Sequence, residues 1–398
     1  MAGDALAIFH GGGPTAVINA SLYGAVDEAL SSRQIGRVLG VLGGVDGISQ
    51  GRFVDFSEVP HEGLRGLLAS PSSAIGSSRT PLEAEDYVRL ARDIERAGIR
   101  WLLCTGGNGT QDTCGKIWRA CQETDVEVDV VGIPKTMDND ISVTDHAPGF
   151  ASAARFMAAN VSAVCCDVHG LPAHVSVIEA LGRNAGWVAA ASAMADESGT
   201  GGPDLIYLPE RDFDESAFLD DAQRLVDEKR SGVIVVSEGL HKAGDVPVAP
   251  PLFTMGRSTY FGDVSAHLAQ LIISKLGCRA RSEKPGLMQR ASIAWQSEVD
   301  RDEAVACGRE AVRAALDGDS GTMVGIERLS TSPYRVRFVR IPIERVMLEE
   351  RHMPQEFIND AGNGVTDAYR SWLKPLLGAP LPRYTSFLSR KATLIVTY

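Results

Sequence analysis

Two turns in the stretch Leu103–Phe150 constrain this chain more than anything else in its 398 residues. Each directly follows an apolar run. The first is Thr105-Gly106-Gly107-Asn108-Gly109-Thr110, after WLLC; the second is Pro134-Lys135-Thr136-Met137-Asp138-Asn139-Asp140, after VVGI. Short apolar runs bounded by turn residues read as buried strands. In an open parallel sheet, loops at the carboxyl ends of neighbouring strands line one crevice, and ligands bind there. One turn offers backbone N–H groups to phosphate, and the other brings a lysine and two carboxylates. An anion cradle, a cation and a base are the parts that phosphoryl transfer needs.

The same strand-then-turn pattern recurs along the chain. Ala5–Phe9 reads as a strand, followed by Gly11-Gly12-Gly13-Pro14-Thr15 and a helical run. That is the generic anion-binding arrangement, although a tight turn that binds nothing has the same signature. Gly36–Leu42 reads as a second strand and Gly43–Gly51 as a loop. Residues 68–80 are small and polar, as expected of a mobile active-site loop, and Arg79 is their only cation. Pro81–Gly98 is an amphipathic helix, Trp101–Thr105 a strand, Thr110–Cys121 a helix and Val128–Ile133 a strand.

Past Phe150 a second alternation begins. It has helical residues 151–166, strand Val175–Ala180, helix Asn184–Asp196, strand Leu205–Leu208, helix Glu215–Lys229 and strand Val233–Ser237, which ends in Glu238-Gly239. Helices over Gly262–Leu276 and Asp302–Leu316 and a hairpin over Gly321–Ile343 follow, and Val346–Tyr398 is mixed. Alternation of this length predicts a second α/β lobe.

Composition limits the partners. The net charge of −12 argues against general affinity for nucleic acid or anionic membrane. Seven cysteines without a CxxC pair read as reduced thiols. No run reaches the ~18 apolar residues of a membrane span, and no basic, apolar leader opens the chain. A cytoplasmic location is expected.

The chemistry follows from the residues. A hydroxyl attacking phosphorus must pass its proton to a carboxylate. Asp138 is the candidate base, with Asp140 orienting it or reaching a metal. Alone, Asp138-Asn139-Asp140 would read as an Asx-rich turn; beside Lys135 and TGGNGT it reads as a site. Lys135 and Arg79 would neutralise the transferring group, and Thr136 can donate to an acceptor oxygen. Gly182 and Arg183 precede a helix, where a sugar hydroxyl or phosphate can bind. Glu238 closes a strand and can accept from sugar hydroxyls.

GGGPTAVINA, SSAIGSSR, TGGNGT, GIPKTMDND, EALGRNAGW, VSEGL and PGLMQR stand in the same order as in the phosphofructokinase family, which the chain resembles from about residue 5 to about 330. The resemblance closest in motif is to the pyrophosphate-dependent members. It implies two Rossmann-like three-layer lobes with a cleft between them. Residues 1–150 plus about 289–345 would form the phosphoryl-donor lobe, 151–288 the acceptor lobe, and 346–398 an extension packed on both. Gly12, Gly13, Gly106, Gly107, Asn108, Gly109 and Thr110 would bind the donor. Thr136, Asp138, His174, Leu181, Gly182, Arg183, Glu238, Arg281 and Arg290 would bind the acceptor, fructose 6-phosphate in most of the family. Mg²⁺ is the implied cofactor. A homodimer or homotetramer is implied too, in which His174 and Arg281 serve a neighbouring subunit's site.

Three departures qualify this. Asn108 replaces the aspartate that helps hold Mg²⁺, so the metal would lean on the donor's phosphates. Gly109 goes with ATP in the family, whereas Lys135 goes with pyrophosphate. Val45 and Thr113 replace residues that favour adenine, which tips the expectation to pyrophosphate. Arg281 and Arg290 match two of the basic groups that surround the 6-phosphate in the family, whereas His174 and Leu287 stand where others are usual; either two arginines suffice, or Lys284 substitutes, or the acceptor is a sulfonated or unphosphorylated sugar or a polyol such as inositol. Outside the family, an NAD-kinase-like enzyme and a non-catalytic sensor share parts of the pattern. PKTMDND and the two-lobe length oppose the first, and the intact acid–base and cationic residues oppose the second.

Overall fold

The computed structural model describes residues 4–387 except 172, 200, 256–257 and 348. They gather into two compact units. The first holds the chain up to Ala153, Leu287–His352 and Ser371–Ala379; the second holds Ala154–Gly286, Met353–Arg370 and the segment from Pro380. The stretch expected as one extension is thus shared between the units, and its residues 388–398 lie outside those described.

The chain opens with β1 (Ala5–His10), α1 (Ile18–Ser31), β2 (Arg37–Val41), α2 (Asp46–Ser49), β3 (Phe53–Asp55), α3 (His61–Arg65), α4 (Ala84–Arg96), β4 (Ile99–Gly106), α5 (Asn108–Glu123) and β5 (Asp129–Pro134). Helix α6 (Phe150–Gly170) begins in the first unit and continues into the second. There follow β6 (Val175–Ala180), α7 (Trp187–Ala191), β7 (Leu205–Tyr207), α8 (Glu215–Lys229), β8 (Gly232–Ser237), the pairs β9 (His241–Lys242)/β10 (Val246–Pro247) and β11 (Pro251–Met255)/β12 (Ser258–Phe261), α9 (Val264–Leu276) and β13 (Ala280–Glu283). The chain returns through α10 (Met288–Ala291), α11 (Glu298–Leu316), β14 (Thr322–Thr331) and β15 (Tyr334–Pro342), and later forms α12 (Asp367–Leu373).

The first unit is built on a sheet of order β15-β14-β5-β4-β1-β2-β3. Its five central strands are parallel, and β3 and β15 run antiparallel at the edges. The inner strands β1, β4 and β5 are buried on both faces, which is why they appear in the sequence as apolar runs. Ala5, Ala7, Phe9, Leu102 and Cys104 pack towards α4 and α5. Leu6, Ile8, Trp101 and Leu103 pack towards α1 and α11. Three layers result. Helix α4 shows the local logic: Tyr87, Leu90, Ala91 and Ile94 form its buried stripe, Asp86 accepts from the Glu83 N–H at 2.8 Å, and Gly98, at φ +66°, ends the turn that follows.

The second unit has a four-stranded parallel sheet of order β13-β6-β8-β7. Val175, Val177, Ile234 and Val236 pack against Phe218, Ala222 and Leu225 of α8 and Leu268 and Ile272 of α9. The helix expected over Asn184–Asp196 starts at Trp187 and tightens to 3₁₀ geometry after Ala191. Before it, the Gly186 N–H is taken by the Glu210 carboxylate at 2.9 Å.

Candidate active site

In the first unit the strand order reverses between β1 and β4, so the crevice at their carboxyl ends is the expected ligand position. The two glycine turns emerge there. Thr110 packs beneath both: a Cβ on Gly11 or on Gly106 would lie 2.2 Å from its Oγ1. Gly107 caps α5, and its carbonyl accepts from the Thr110 and Gln111 N–H groups at 2.8 and 3.0 Å. The first amides of this 16-residue helix have no partner within it, which suits them to phosphate. Gln111 Nε2 donates to the carbonyls of Gly106 (2.9 Å) and Ile133 (3.0 Å), tying the Gly106 turn to the strand end that leads into the Lys135 loop. Gly109 is exposed, with open space where a Cβ would be.

After a 3₁₀ turn that ends at Ala69, residues 70–80 are irregular, as expected, yet they are tied down. Asn19 donates to the Ser70 carbonyl and accepts from the Ala74 N–H, each at 2.9 Å. Gly43 N–H reaches the Ile75 carbonyl at 2.8 Å, Gly12 N–H the Ser78 carbonyl at 2.9 Å, and Ser77 Oγ donates to the Gly12 carbonyl at 2.7 Å. Ser73 Oγ donates its one proton to the Gly76 carbonyl, so His10 Nδ1, 2.7 Å away, carries the hydrogen of that contact. Burial first, and the Lys135 charge second, push His10 down to about 3, so the ring is neutral. None of these clamps has a local sequence signature. They carry Arg79 to Gly13, where a Cβ would stand 3.2 Å from Arg79 Nη2 and 2.1 Å from Arg290 Nη1.

Arg290, expected at the acceptor, therefore lies on the donor turn. Lys135 is buried beside it, with Nζ donating to the Gly13 carbonyl at 2.6 Å. Burial brings the Lys135 ammonium down to about 8. Asp138 and Asp140 oppose that shift, and Arg290 and Arg79 add to it.

The base loop is shaped by Asn139, which adopts a left-handed conformation (φ +54°) that asparagine tolerates better than most residues. Its Oδ1 accepts from the Ala147 N–H at 3.1 Å. Asp138, half-buried, precedes it. Thr136 Oγ1 accepts from the Asp138 N–H at 3.1 Å and donates to Asp140 Oδ1 at 2.9 Å. That hydroxyl proton is already committed within the loop, whereas the sequence pattern assigned it to an acceptor oxygen. Burial raises the Asp140 carboxyl; the Thr136 bond counters, Glu350 adds to the rise, and Lys135 counters it.

Asn108 Nδ2 donates to both the backbone oxygen and the Oδ2 of Asp140, each at 3.0 Å. Two acceptors on one side fix the amide's orientation. Its Oδ1 is then a buried oxygen without a hydrogen-bond partner. An orphaned neutral oxygen on a side chain bonded to Asp140 fits a Mg²⁺ ion that takes most of its ligands from phosphates and water.

In the second unit, Leu181-Gly182-Arg183 and Glu238 extend from the carboxyl ends of adjacent strands β6 and β8. Glu238 Oε1 accepts from the Gly182 N–H at 3.3 Å. Gly182 has φ +125°, and a Cβ on Gly239 would fall 1.5 Å from the Arg183 carbonyl oxygen. The strands thus bring Leu181, Gly182, Arg183 and Glu238 together. Burial raises the Glu238 carboxyl, with the Gly182 N–H and Arg183 opposing. His174 and Arg281 lie elsewhere: His174 precedes β6, and Arg281 pairs with Ser176, about 17 Å down the strand from Leu181. Lys284 is held by Glu179 at 3.0 Å and by Asp263, so its charge is already matched.

The fold and site define a phosphotransferase of two α/β units. A phosphofructokinase family model matches residues 5–315, and the chain belongs to the phosphofructokinase family. It is 36% identical over 385 residues to the pyrophosphate–fructose 6-phosphate 1-phosphotransferase of Rhodospirillum rubrum, covering 94% of each chain. It is 34% identical to the sulfofructose kinase of Alkalicoccus urumqiensis, covering 94% of this chain and 96% of that one. Among solved structures, the pyrophosphate-dependent phosphofructokinase of Nitrosospira multiformis superposes with a TM-score of 0.88 at 30% identity, covering 98% of this chain and 96% of the other.

Proposed function

We propose that this protein transfers a phosphoryl group from pyrophosphate to the 1-hydroxyl of fructose 6-phosphate, giving fructose 1,6-bisphosphate and phosphate. The observation that carries the choice of donor is Lys135, a buried ammonium fixed on the Gly13 carbonyl among Arg79, Arg290, Asp138 and Asp140. A cation at that depth binds a compact, highly charged donor without help from a base or ribose.

Asp138 takes the hydroxyl proton as the oxygen bonds to the terminal phosphorus and the bridging P–O bond breaks. The electron pair leaves on the departing phosphate. Arg79, Arg290 and Lys135 hold the equatorial oxygens, and the amides of Gly106–Thr110 and Gly12-Gly13 hold the rest of the donor. Asn108 Oδ1 and the carboxylate of Asp140 are the oxygens that would hold Mg²⁺, which supplies charge neutralisation when bound. Gly182, Arg183 and Glu238 hold the sugar. In a homodimer or homotetramer, His174 and Arg281 serve the acceptor site of a neighbouring subunit, which accounts for their distance from Leu181 in one chain.

Lys284, already paired with two carboxylates, and His174 in place of an arginine favour a second reading: an acceptor with a sulfonate, which carries one charge fewer than a phosphate dianion. One assay matrix tests both readings: pyrophosphate and ATP against fructose 6-phosphate, sulfofructose, fructose and inositol. The highest kcat/KM should fall on pyrophosphate with fructose 6-phosphate. A maximum on sulfofructose would establish the second reading, and a maximum on ATP would overturn the donor assignment.

A further inference from the structure

Helix α11 turns two buried carboxylates, Asp300 and Glu303, towards the segment that follows Asp138. Residues three apart share a helix face. Asp300 Oδ1 accepts from the Gly149 N–H at 2.8 Å and Oδ2 from the Ser152 N–H at 2.9 Å, fixing the start of α6. Glu303 Oε2 lies 2.7 Å from His146 Nε2, and Oε1 accepts from the Tyr334 hydroxyl at 2.6 Å. His146 Nδ1 is 2.8 Å from Asp145 Oδ2. Both ring nitrogens face carboxylate oxygens, so the fully buried ring is an imidazolium. Asp145 is matched in turn by Arg328 at 2.9 Å and by Trp372 Nε1 at 3.2 Å, and Arg328 stacks on the rings of Trp372 and Tyr334.

The same helix grips the donor side. A Cβ on Gly24 of α1 would lie 2.0 Å from the Val305 carbonyl oxygen, and one on Gly308 would lie 2.1 Å from that of Ser21. Helix α1 follows directly from the Gly11–Thr15 turn. Helix α11 is therefore in contact with both halves of the reaction geometry. On the base side the path is short: Glu303 holds His146, the next residue Ala147 donates to Asn139 Oδ1, and Asn139 sets the backbone between Asp138 and Asp140.

We propose that His146 and Glu303 are positioning residues, which hold the Asp138 carboxylate in register with the donor turn through Ala147 and Asn139. The inference rests on Asp138 being the base. Buried ion pairs are a weak source of stability compared with apolar packing. They do fix directions, because each hydrogen bond constrains an angle as well as a distance. Direction matters here: a misplacement of about 1 Å at a reacting group can lower the rate by about 10²-fold.

The test uses the full-length enzyme with pyrophosphate and fructose 6-phosphate, well below each variant's Tm. His146→Gln and Glu303→Gln should each lower kcat by about 10- to 100-fold with KM within about threefold of wild type. The double variant should be no worse than the poorer single one, because the residues act as a unit. In an Asp138→Asn background, His146→Gln should lower the residual rate by less than about twofold, since there is no base left to position. If His146→Gln does not fold, Tyr334→Phe replaces it, with an expected loss in kcat of about threefold at unchanged KM. Wild-type kcat in these variants, or a loss that persists in full without Asp138, would overturn the inference. Asp138→Asn tests the underlying assignment separately: activity within a few-fold of wild type would remove the base itself, whatever the His146 variants do.

Discussion

The amide nitrogen of Asn108 sits 3.0 Å from Oδ2 of Asp140, joining the donor turn to the base loop. Family members with aspartate at this position would place two carboxylates in contact here. Asn108→Asp should therefore demand an added cation. Two like charges ~4 Å apart repel by about 4 kcal/mol at an effective dielectric near 20. The expected result is a fall in kcat/KM of at least about tenfold at limiting Mg²⁺, largely recovered at high Mg²⁺. A Mg²⁺ titration of wild type and variant checks this, and coincident curves would contradict it.

Gly13 is the second contact to test. Its missing Cβ makes room for the guanidinium of Arg290, with that of Arg79 close by. Gly13→Ala should fold normally, because the obstructing atoms are the far ends of flexible side chains. It should also displace Arg290 from the transferring phosphoryl group. A loss in kcat of about 10- to 100-fold, with a thermal midpoint near wild type, is expected from steady-state kinetics and a melting curve. Wild-type kcat would remove Arg290 from the donor site.

The His146 cluster makes a pH prediction. Burial alone would lower this imidazole, but Glu303 and Asp145 raise it from 6.5 to about 9. The folded chain then holds a proton more tightly than the unfolded one. The stabilisation is complete below pH 6.5 and is lost as pH rises towards 9. Lys135 has the opposite sign, since its folded value of about 8 is depressed, but its contribution begins only above pH 8. Asp300, raised to about 6 by burial, has largely finished titrating below that window. Between pH 6.5 and 8 the wild type should lose on the order of 2 kcal/mol, and His146→Gln should flatten the slope. Urea midpoints across that range decide it.

These contacts also show how far the sequence could be read. The central strands were legible because parallel strands buried on both faces leave continuous apolar runs such as ALAIF and VIVVS, and the turns after them carry Lys135 and Asp138. Edge strand β3 and the β9–β12 pairs were not, being too short for any period to emerge. The pinning of residues 68–80 was invisible because it runs through backbone carbonyls and single serines. Asn108–Asp140 and His146–Glu303 join residues 32 and 157 apart. Nothing local distinguishes Glu303 from the other acids of α11; only the fold turns it towards His146.

Donor choice brings these relationships to one position. Pyrophosphate has no adenosine, so its binding must come from groups around two phosphates, and of the cations Arg79, Arg290 and Lys135 it is Lys135 that is buried. ATP would gain from an apolar slot for adenine. Val45 is instead packed into the core beside α2, and the Thr113 hydroxyl is turned onto the Gly109 carbonyl at 3.0 Å. Gly109 leaves open space, so that position does not exclude the nucleotide. Lys135→Gly should lower kcat/KM for pyrophosphate by at least about 10²-fold while sparing or improving ATP. The free-enzyme value of about 8 adds a second signature. The wild-type kcat/KM for pyrophosphate should decline above pH 8 as the ammonium is lost, whereas kcat should hold to higher pH because bound phosphate retains the proton. Lys135→Met should abolish that difference. A wild-type preference for ATP of about tenfold or more (~1.4 kcal/mol) would show that the open Gly109 position, rather than Lys135, sets the donor.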